Sequence, residues 1–398
     1  MKTKTIFLAF FLISFHFYPQ STPEGWYKGN LHTHSLWSDG DDFPEMIIDW
    51  YKENGYQFVA ISDHNTIADK EKWVFVNSKT AIGNAFTNYL KRFDKWVETV
   101  QRGDSVFVKL KTFYEYKSLM YDAGKFLVIA SEEVTAKFED KHVHINVTNI
   151  QSEIQPQQGN SVVEVMQKTL NLVTQQRALS NAPVFAHINH PNFGYSIKAE
   201  DMMKLNGERF FEVYNGHPLV HNEGDENHIG TEEIWDLVNV SYFKQKKPLL
   251  LGLATDDSHN YHKISPKLSN PGRGWVMVNA DSLTTGKIIT SLEKGNFYAT
   301  SGVIIKTTRV DDKSYRLEIR GEEGVNYKIY FYGYQTGHEN VREVATFDGN
   351  IGEYFFSKKD LFVRAKIISD KIKQNPYKAG EVEQAWTQPF LISFQTDN

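Results

Sequence analysis

His32 and His34, His142 and His144, and Asp257 and His259 are each separated by one residue, and each pair lies in or just beyond a run that reads as a β-strand. Side chains at i and i+2 of a strand face the same side, so both members of such a pair can approach one ion. Asp39, the dipeptide Asp63-His64, Glu133 and His190 enlarge the set. One such pair says little, but the combination points to a metal centre. Imidazole and carboxylate ligands without thiolate suit Zn²⁺, Mn²⁺ or Fe²⁺, and spacing does not choose among them. Two or three divalent ions in one cluster would lower the pKa of a bridging water enough to supply hydroxide as a nucleophile near neutral pH. They would also neutralise charge that develops on a phosphoryl or acyl oxygen. No serine or cysteine nucleophile is then required, and no G-x-S-x-G segment occurs. Asp63, beside His64, is a candidate partner to orient an imidazole.

Other residues have the chemistry for supporting roles. Arg273, in Gly272-Arg-Gly274, could clamp a phosphate or carboxylate bidentately, or be a surface arginine on a turn. His217 could touch substrate or give a proton to a leaving group, and His187, His221, His262 and Asn215 are further candidates for the same tasks. His228 and His338 read as solvent-exposed.

The elements that must position these groups follow an α/β pattern. Short apolar runs alternate with helical stretches, as in parallel α/β folds. Strand candidates are Tyr27 to Leu31, Gln57 to Ser62, Phe126 to Ala130, Pro183 to Ala186, Phe211 to Val213 and Leu249 to Leu253. Nearly all run directly into polar or ionisable residues, and the C-terminal ends of parallel strands are where such folds place their sites. A helix over Pro44 to Asn54 ends at Gly55. The segment between Asn65 and Gly124 reads as a mostly helical, aromatic-rich insertion, either a packed subdomain or a lid. From about Ile304 the period changes to two: Tyr315 to Arg320, Tyr327 to Tyr332 and Phe362 to Ile367 alternate, with turn signals at Glu323-Gly324 and Asp348-Gly349. This predicts a small all-β sandwich over 303–398 that carries no ligands.

Composition sets the outer limits. The chain has 398 residues, enough for two or three domains, and its net charge of −5 gives no surface for a polyanion, so nucleic acid is not an expected partner. Fourteen histidines and no cysteine exclude disulfides and thiolate chemistry. Lys2 and Lys4 precede an apolar run from Ile6 to Phe17, which reads as a signal peptide over 1–20. The mature chain is then expected to be secreted or periplasmic, with no stable membrane insertion after cleavage.

The ordered motifs resemble those of the PHP (polymerase and histidinol phosphatase) family: Leu31-His-Thr-His-Ser-Leu-Trp-Ser-Asp-Gly40, Ile61-Ser-Asp-His64, Asn189-His-Pro191 and Asp257-Ser-His259. Val143 to Asn146, Glu212 to Pro218 and Pro271 to Trp275 resemble a secreted bacterial branch related to carbaryl hydrolase. The likeness runs from about Gly29 to Gly302. It implies a distorted (β/α)₇ barrel over 21–302, with a metal cluster at the C-terminal ends of its strands. By motif, His32, His34, Glu133 and Asp257 would hold one metal. Glu133 would bridge to a second, bound by His144 and His190, while Asp39, His64 and His259 would hold a third. Glu133 rather than Glu132 fits the family's G-x-E spacing, although Ala130 or Ser131 replaces the glycine. His144 rather than His142 fits its H-x-N. The implied activity is hydrolysis of a small or oligomeric phosphate mono- or diester, with Glu133, Asp257, Arg273 and His217 nearest the chemistry. An ester, carbamate or amide hydrolase on the same metals is the alternative, and a noncatalytic glycan-binding protein a further one.

Overall fold

The computed structural model describes residues 25–77 and 81–392. Residues 1–20, expected from the sequence to be a signal peptide, lie outside the described residues.

One 14-stranded mixed sheet organises the molecule. From one edge it runs through Leu251–Thr255, Phe210–Asn215, Phe185–Ile188, Lys141–Thr148, Leu127–Phe138, Phe58–Ile61, Trp26–Asn30, Trp275–Asn279 and Phe297–Thr300. The strands Phe58–Ile61, Phe185–Ile188 and Leu251–Thr255 are buried along their whole length, which is why they read as continuous apolar runs and not as alternating ones. Helices cover the sheet. Pro44–Glu53 begins on a proline, whose missing N–H costs nothing in a first turn, and buries Ile47, Ile48 and Tyr51. Val162–Ser180 is capped by the Ser161 side chain and ends where Asn181 turns left-handed.

These strands form one mixed sheet, and the expected (β/α)₇ barrel is not shown. Phe58–Ile61 pairs in parallel with both Trp26–Asn30 and Leu127–Phe138, but Lys141–Thr148 runs antiparallel to both of its neighbours. The cause is local: a tight turn at Glu139, φ 53°, joins Leu127–Phe138 directly to Lys141–Thr148, leaving no crossover helix. No strand ladder closes the sheet among the described residues. A lone Thr33–Ser258 bridge nevertheless brings the ends of Trp26–Asn30 and Leu251–Thr255 together. The ligand-bearing segments that follow those strands therefore meet.

The C-terminal strands are antiparallel, as their period predicts, and stack as two layers. They are not set apart from the rest. Val382–Thr387 pairs with Phe297–Thr300, so the main sheet continues through Asp360–Ile372 and Tyr327–Gln335 to Arg342–Asp348. Ile305–Val310, Ser314–Ile319 and Ile351–Phe355 form the second layer. Leu317, Ile319, Ile329 and Phe331 are buried between the two.

The insertion is also corrected, from mostly helical to mixed. Lys72–Val76, Thr99–Arg102 and Ser105–Leu110 make a three-stranded sheet beside the helices Ala81–Phe93 and Phe113–Met120. Valine and phenylalanine dominate those strands, and such residues favour a pleated, half-buried surface. The insertion packs against the segment that carries Asp39. Trp37 Nε1 donates to Lys111 O at 2.9 Å, Lys72 Nζ to Trp37 O at 2.6 Å, and Phe43 stacks on Tyr89 at 4.4 Å.

Candidate metal centre

His32 and His34 follow the strand Trp26–Asn30 and are fully buried. Their Nε2 atoms lie 3.1 Å apart, closer than two imidazole lone pairs tolerate without something positive between them. Asp257 Oδ1 is 3.2 Å from both nitrogens, and Glu133 Oε2 lies 3.4 Å from His32 and 3.3 Å from His34. His32, His34 and Asp257 thus form one group of donors close enough to share an ion, which imidazole nitrogen and carboxylate oxygen hold at about 2.0–2.2 Å. Glu133 Oε2 is buried and, although His64 Nδ1 stands 2.8 Å away, meets no hydrogen bond of good geometry, so a cation would satisfy it.

The other oxygen of Glu133 faces a second group. Oε1 is 3.0 Å from His144 Nδ1 and 3.5 Å from His190 Nε2, and Asn189 Nδ2 donates to it at 2.7 Å. A third group gathers on Asp39. His259 Nε2 is 3.4 Å from Asp39 Oδ1, His64 Nε2 is 3.5 Å from Oδ2, and His34 Nδ1 is 3.7 Å from Oδ1. Asp39 is 55% exposed, so this group forms the open side of the cluster. All nine ligands implied by the motifs thus converge. His142, two residues from His144, is exposed and belongs to none of the groups. Glu132 points the opposite way from Glu133, accepting from Ile154 N at 2.9 Å.

The imidazoles are oriented from behind. His32 Nδ1 donates to Glu212 Oε1 at 2.7 Å, His259 Nδ1 to Asp257 O at 2.9 Å and His64 Nδ1 to Thr135 Oγ1 at 2.5 Å. In each case the opposite nitrogen keeps its lone pair toward the cluster, which fixes the tautomer a metal requires. Asp257 and His190 adopt φ of 49° and 23°, unusual for residues with a Cβ and typical of strained functional positions. Charge is arranged to match. Burial would raise the carboxyls of Glu133 and Asp257, yet the surrounding histidines hold both well below the usual carboxylate range. Burial pushes His34 down to about 3.

Several expected roles are corrected. Asp63 orients no imidazole. Its carboxylate accepts from Ser35 N and Oγ and from Ser38 N and Oγ, at 2.8, 2.6, 3.1 and 2.6 Å, and so shapes the turn before Asp39. Arg273 is no phosphate clamp. It is fully buried, and its guanidinium donates to Asn375 O, Gly216 O, Leu268 O and Ser265 O, with Asn270 and Asn375 Oδ1 beside Nη2. Its flanking glycines are explained by Gly272, φ 85°, and by Gly274, where a Cβ would come within 2.7 Å of Thr255 O. His187 is buried 3.4 Å from Glu212, and His262 lies against Asp41 O and Asp42. His221, His228 and His338 are exposed. Asn215 bonds Glu212 and Asp257 at 2.8 and 3.1 Å and so braces the ligands.

His217 does stand at the mouth. Its ring is 5.7 Å from those of His259 and Phe193, and Leu219 N donates to its Nδ1 at 3.2 Å. That bond leaves the proton on Nε2. Burial lowers its pKa to about 4, so it is a neutral hydrogen-bond donor and not an imidazolium acid. Glu212 is the residue the sequence reading passed over. Its signal was visible: one carboxylate between the apolar residues Phe211 and Val213 of the buried strand Phe210–Asn215.

The fold and the cluster together define an α/β chain with several groups of histidines and carboxylates that could hold metal ions. No family model matches the chain, and no curated protein does. Among solved structures, it is similar to a two-domain protein from Bacteroides vulgatus described as containing a predicted PHP-like metal-dependent phosphoesterase: 14% identity, TM-score 0.43, covering 94% of this chain and 97% of that one. It is also similar to a structure from Bifidobacterium adolescentis described as a "putative metal-dependent phosphoesterase", at 13% identity and TM-score 0.28, covering 64% of this chain and 94% of that one. An amidohydrolase from Chromobacterium violaceum, with bound sulfate, is similar at 12% identity and TM-score 0.31, covering 68% and 96%.

Proposed function

We propose that this chain is a metal-dependent hydrolase of phosphate esters, with His32, His34, Asp39, His64, Glu133, His144, His190, Asp257 and His259 holding two or three divalent ions. The observation that carries this reading is the Glu133 carboxylate, whose two oxygens face two separate ligand groups. Bound ions would activate water and stabilise developing negative charge. The residues of the chain supply the rest. Glu212, Thr135 and the Asp257 carbonyl hold the Nδ1–H of His32, His64 and His259, so that in the neutral rings Nε2 is the nitrogen that would ligate an ion. His217 Nε2–H offers a neutral donor at the open side, suited to an oxygen of the substrate or its leaving group. Phe193, 5.2 Å from His190 and 5.7 Å from His217, provides an apolar wall beside it. Export through residues 1–20 is part of the same proposal, and a hydrolase acting outside the cytoplasm on small or oligomeric phosphoesters fits it.

The engagement of Arg273 favours a second reading, an ester, carbamate or amide hydrolase on the same ions, because the one cation the motifs offered for phosphate is already bonded. Paired assays separate the two. With added Mn²⁺ or Zn²⁺, an aryl phosphate should be hydrolysed faster than the corresponding aryl acetate, and the reverse order would transfer the assignment to the second reading.

A further inference from the structure

The segment 257–273 carries two of the ligands, Asp257 and His259, yet has no regular secondary structure. Its order comes from polar contacts. Ser269 O accepts from His259 N at 2.9 Å and from Asn260 N at 2.8 Å, and the Ser269 hydroxyl bonds the Asp257 carbonyl. Asn270 Nδ2 donates to Asn260 O at 2.7 Å and to Lys263 O at 2.8 Å. The Arg273 guanidinium gathers the segment from below, through Leu268 O at 2.7 Å and Ser265 O at 3.0 Å.

What holds Arg273 comes from far away in sequence. The connection between Asp360–Ile372 and Val382–Thr387, in the C-terminal layers, reaches back under the metal centre. Asn375 accepts from Arg273 Nε through its carbonyl at 3.1 Å and lies 3.3 Å from Nη2 through Oδ1; its Nδ2 donates to Pro271 O at 2.9 Å. Lys373 is buried and donates to Arg273 O and Glu381 Oε1, each at 2.9 Å, and to Tyr214 OH at 2.5 Å. The Arg273 stem leaves no room beside it: a Cβ on Gly216 would lie 2.7 Å from Arg273 Cβ.

We infer that Asn375 and Lys373 are positioning residues for the metal centre, so that the C-terminal layers, which contribute no ligand, hold the Asp257–His259 segment in its ligating shape through Arg273. Asp257–His259 is tied to the His32–His34 segment by backbone bonds, Asp257 N to His32 O at 3.0 Å and His34 N to Ser258 O at 2.9 Å, but no strand pairing holds 260–273 beyond it. Such a stretch opens locally unless side chains pin it, and Asp257 sits at a φ of 49° that an unpinned chain would leave. Releasing the strut therefore weakens the sites that use Asp257 and His259 before it disturbs the remaining ligands.

The inference rests on the metal-centre reading, and one experiment separates them. Full-length wild type, Asn375→Ala and the surface control Lys378→Ala are stripped of metal and titrated with Zn²⁺ against a chelator. Amide exchange of 257–273 is followed in parallel, with and without the ion. In Asn375→Ala, amides in 260–270 should exchange at least tenfold faster, and at least one Zn²⁺ dissociation constant should rise fivefold or more, while Lys378→Ala matches wild type. The double variant Lys373→Met/Glu381→Gln removes the strut without stranding a buried charge and should show the same two changes. Wild-type exchange and affinity in both strut variants would overturn the inference while leaving the metal centre intact. Failure of wild type to bind Zn²⁺ would instead overturn the metal-centre reading.

Discussion

Replacing Glu212 with glutamine exchanges a single carboxylate oxygen for an NH₂ group and should disable the first ligand group. The carboxylate accepts four hydrogen bonds. Oε1 takes those of His32 Nδ1 at 2.7 Å and Thr255 Oγ1 at 2.8 Å, while Oε2 takes those of His190 N and Asn215 Nδ2, each at 2.8 Å. An amide offers one acceptor oxygen, so its NH₂ must face one of these pairs. His190 N is a backbone donor, and Asn215 is held in place because its own Oδ1 accepts from His217 N at 2.8 Å. Only the Thr255 hydroxyl can turn and accept. The NH₂ therefore takes the Oε1 side, and His32 Nδ1 must become an acceptor. The imidazole proton then moves to Nε2, where it points at His34 Nε2 3.1 Å away and occupies the metal position. Loss of such an outer partner typically costs 10–100-fold in metal affinity, or about 1.4–2.8 kcal/mol. The assay is chelator competition with Zn²⁺ on wild type and Glu212→Gln, with thermal unfolding of the ion-free proteins to confirm the fold. A folded variant whose Zn²⁺ affinity stays within twofold of wild type would refute the reasoning.

Other perturbations follow from the same contacts. Glu133→Ala should weaken both ligand groups it joins and abolish turnover, read by elemental analysis and hydrolysis together. Asp39→Ala and His64→Ala should each lower the metal count by about one and leave the first group filled; an unchanged count in both would remove the third site. Arg273→Ala should act on stability more than on substrate affinity, because it strands buried carbonyls at roughly 1–3 kcal/mol each; a normal melting temperature with a raised KM would restore its role as a clamp. Glu208 is buried, and burial raises its carboxyl to about 8, above the unfolded value of 4.5. Its contribution to stability is therefore fully present below pH 4.5 and is lost as pH rises toward 8. Glu208→Gln should flatten that decline, by at most about 1.4 kcal/mol per pH unit, in denaturant unfolding at pH 5 and pH 8.

The nine converging side chains were legible because metal binding demands particular atoms at particular spacings. A pair such as His32 and His34 cannot hide in a sequence, and the residues after each apolar run announced where the strands deliver them. The supporting groups were less legible. Asp63 sits beside a ligand in sequence but bonds Ser35 and Ser38, whereas Glu212 lies 180 positions from the imidazole it orients. Arg273 looked available because local sequence could not reveal Asn375, 102 positions on, filling its donors. The same limit applied to the sheet. Period and burial marked the strands, but pairing partners such as Phe297–Thr300 with Val382–Thr387 depend on contacts that no local pattern encodes. The insertion was misread because aromatic residues at mixed spacing suit both helix and strand, and packing against the Asp39 segment decided between them.

The central claim is that these side chains form a polynuclear metal centre that hydrolyses a phosphate ester. Its most direct test is a stepwise titration of metal-stripped protein with Mn²⁺ or Zn²⁺, with bound ions counted by elemental analysis and aryl phosphate hydrolysis measured at each step. At least two ions per chain are expected from the ligand groups, with activity rising as the Glu133-bridged pair fills. A chain that binds less than one ion, or whose hydrolysis is the same before and after stripping, would contradict the account.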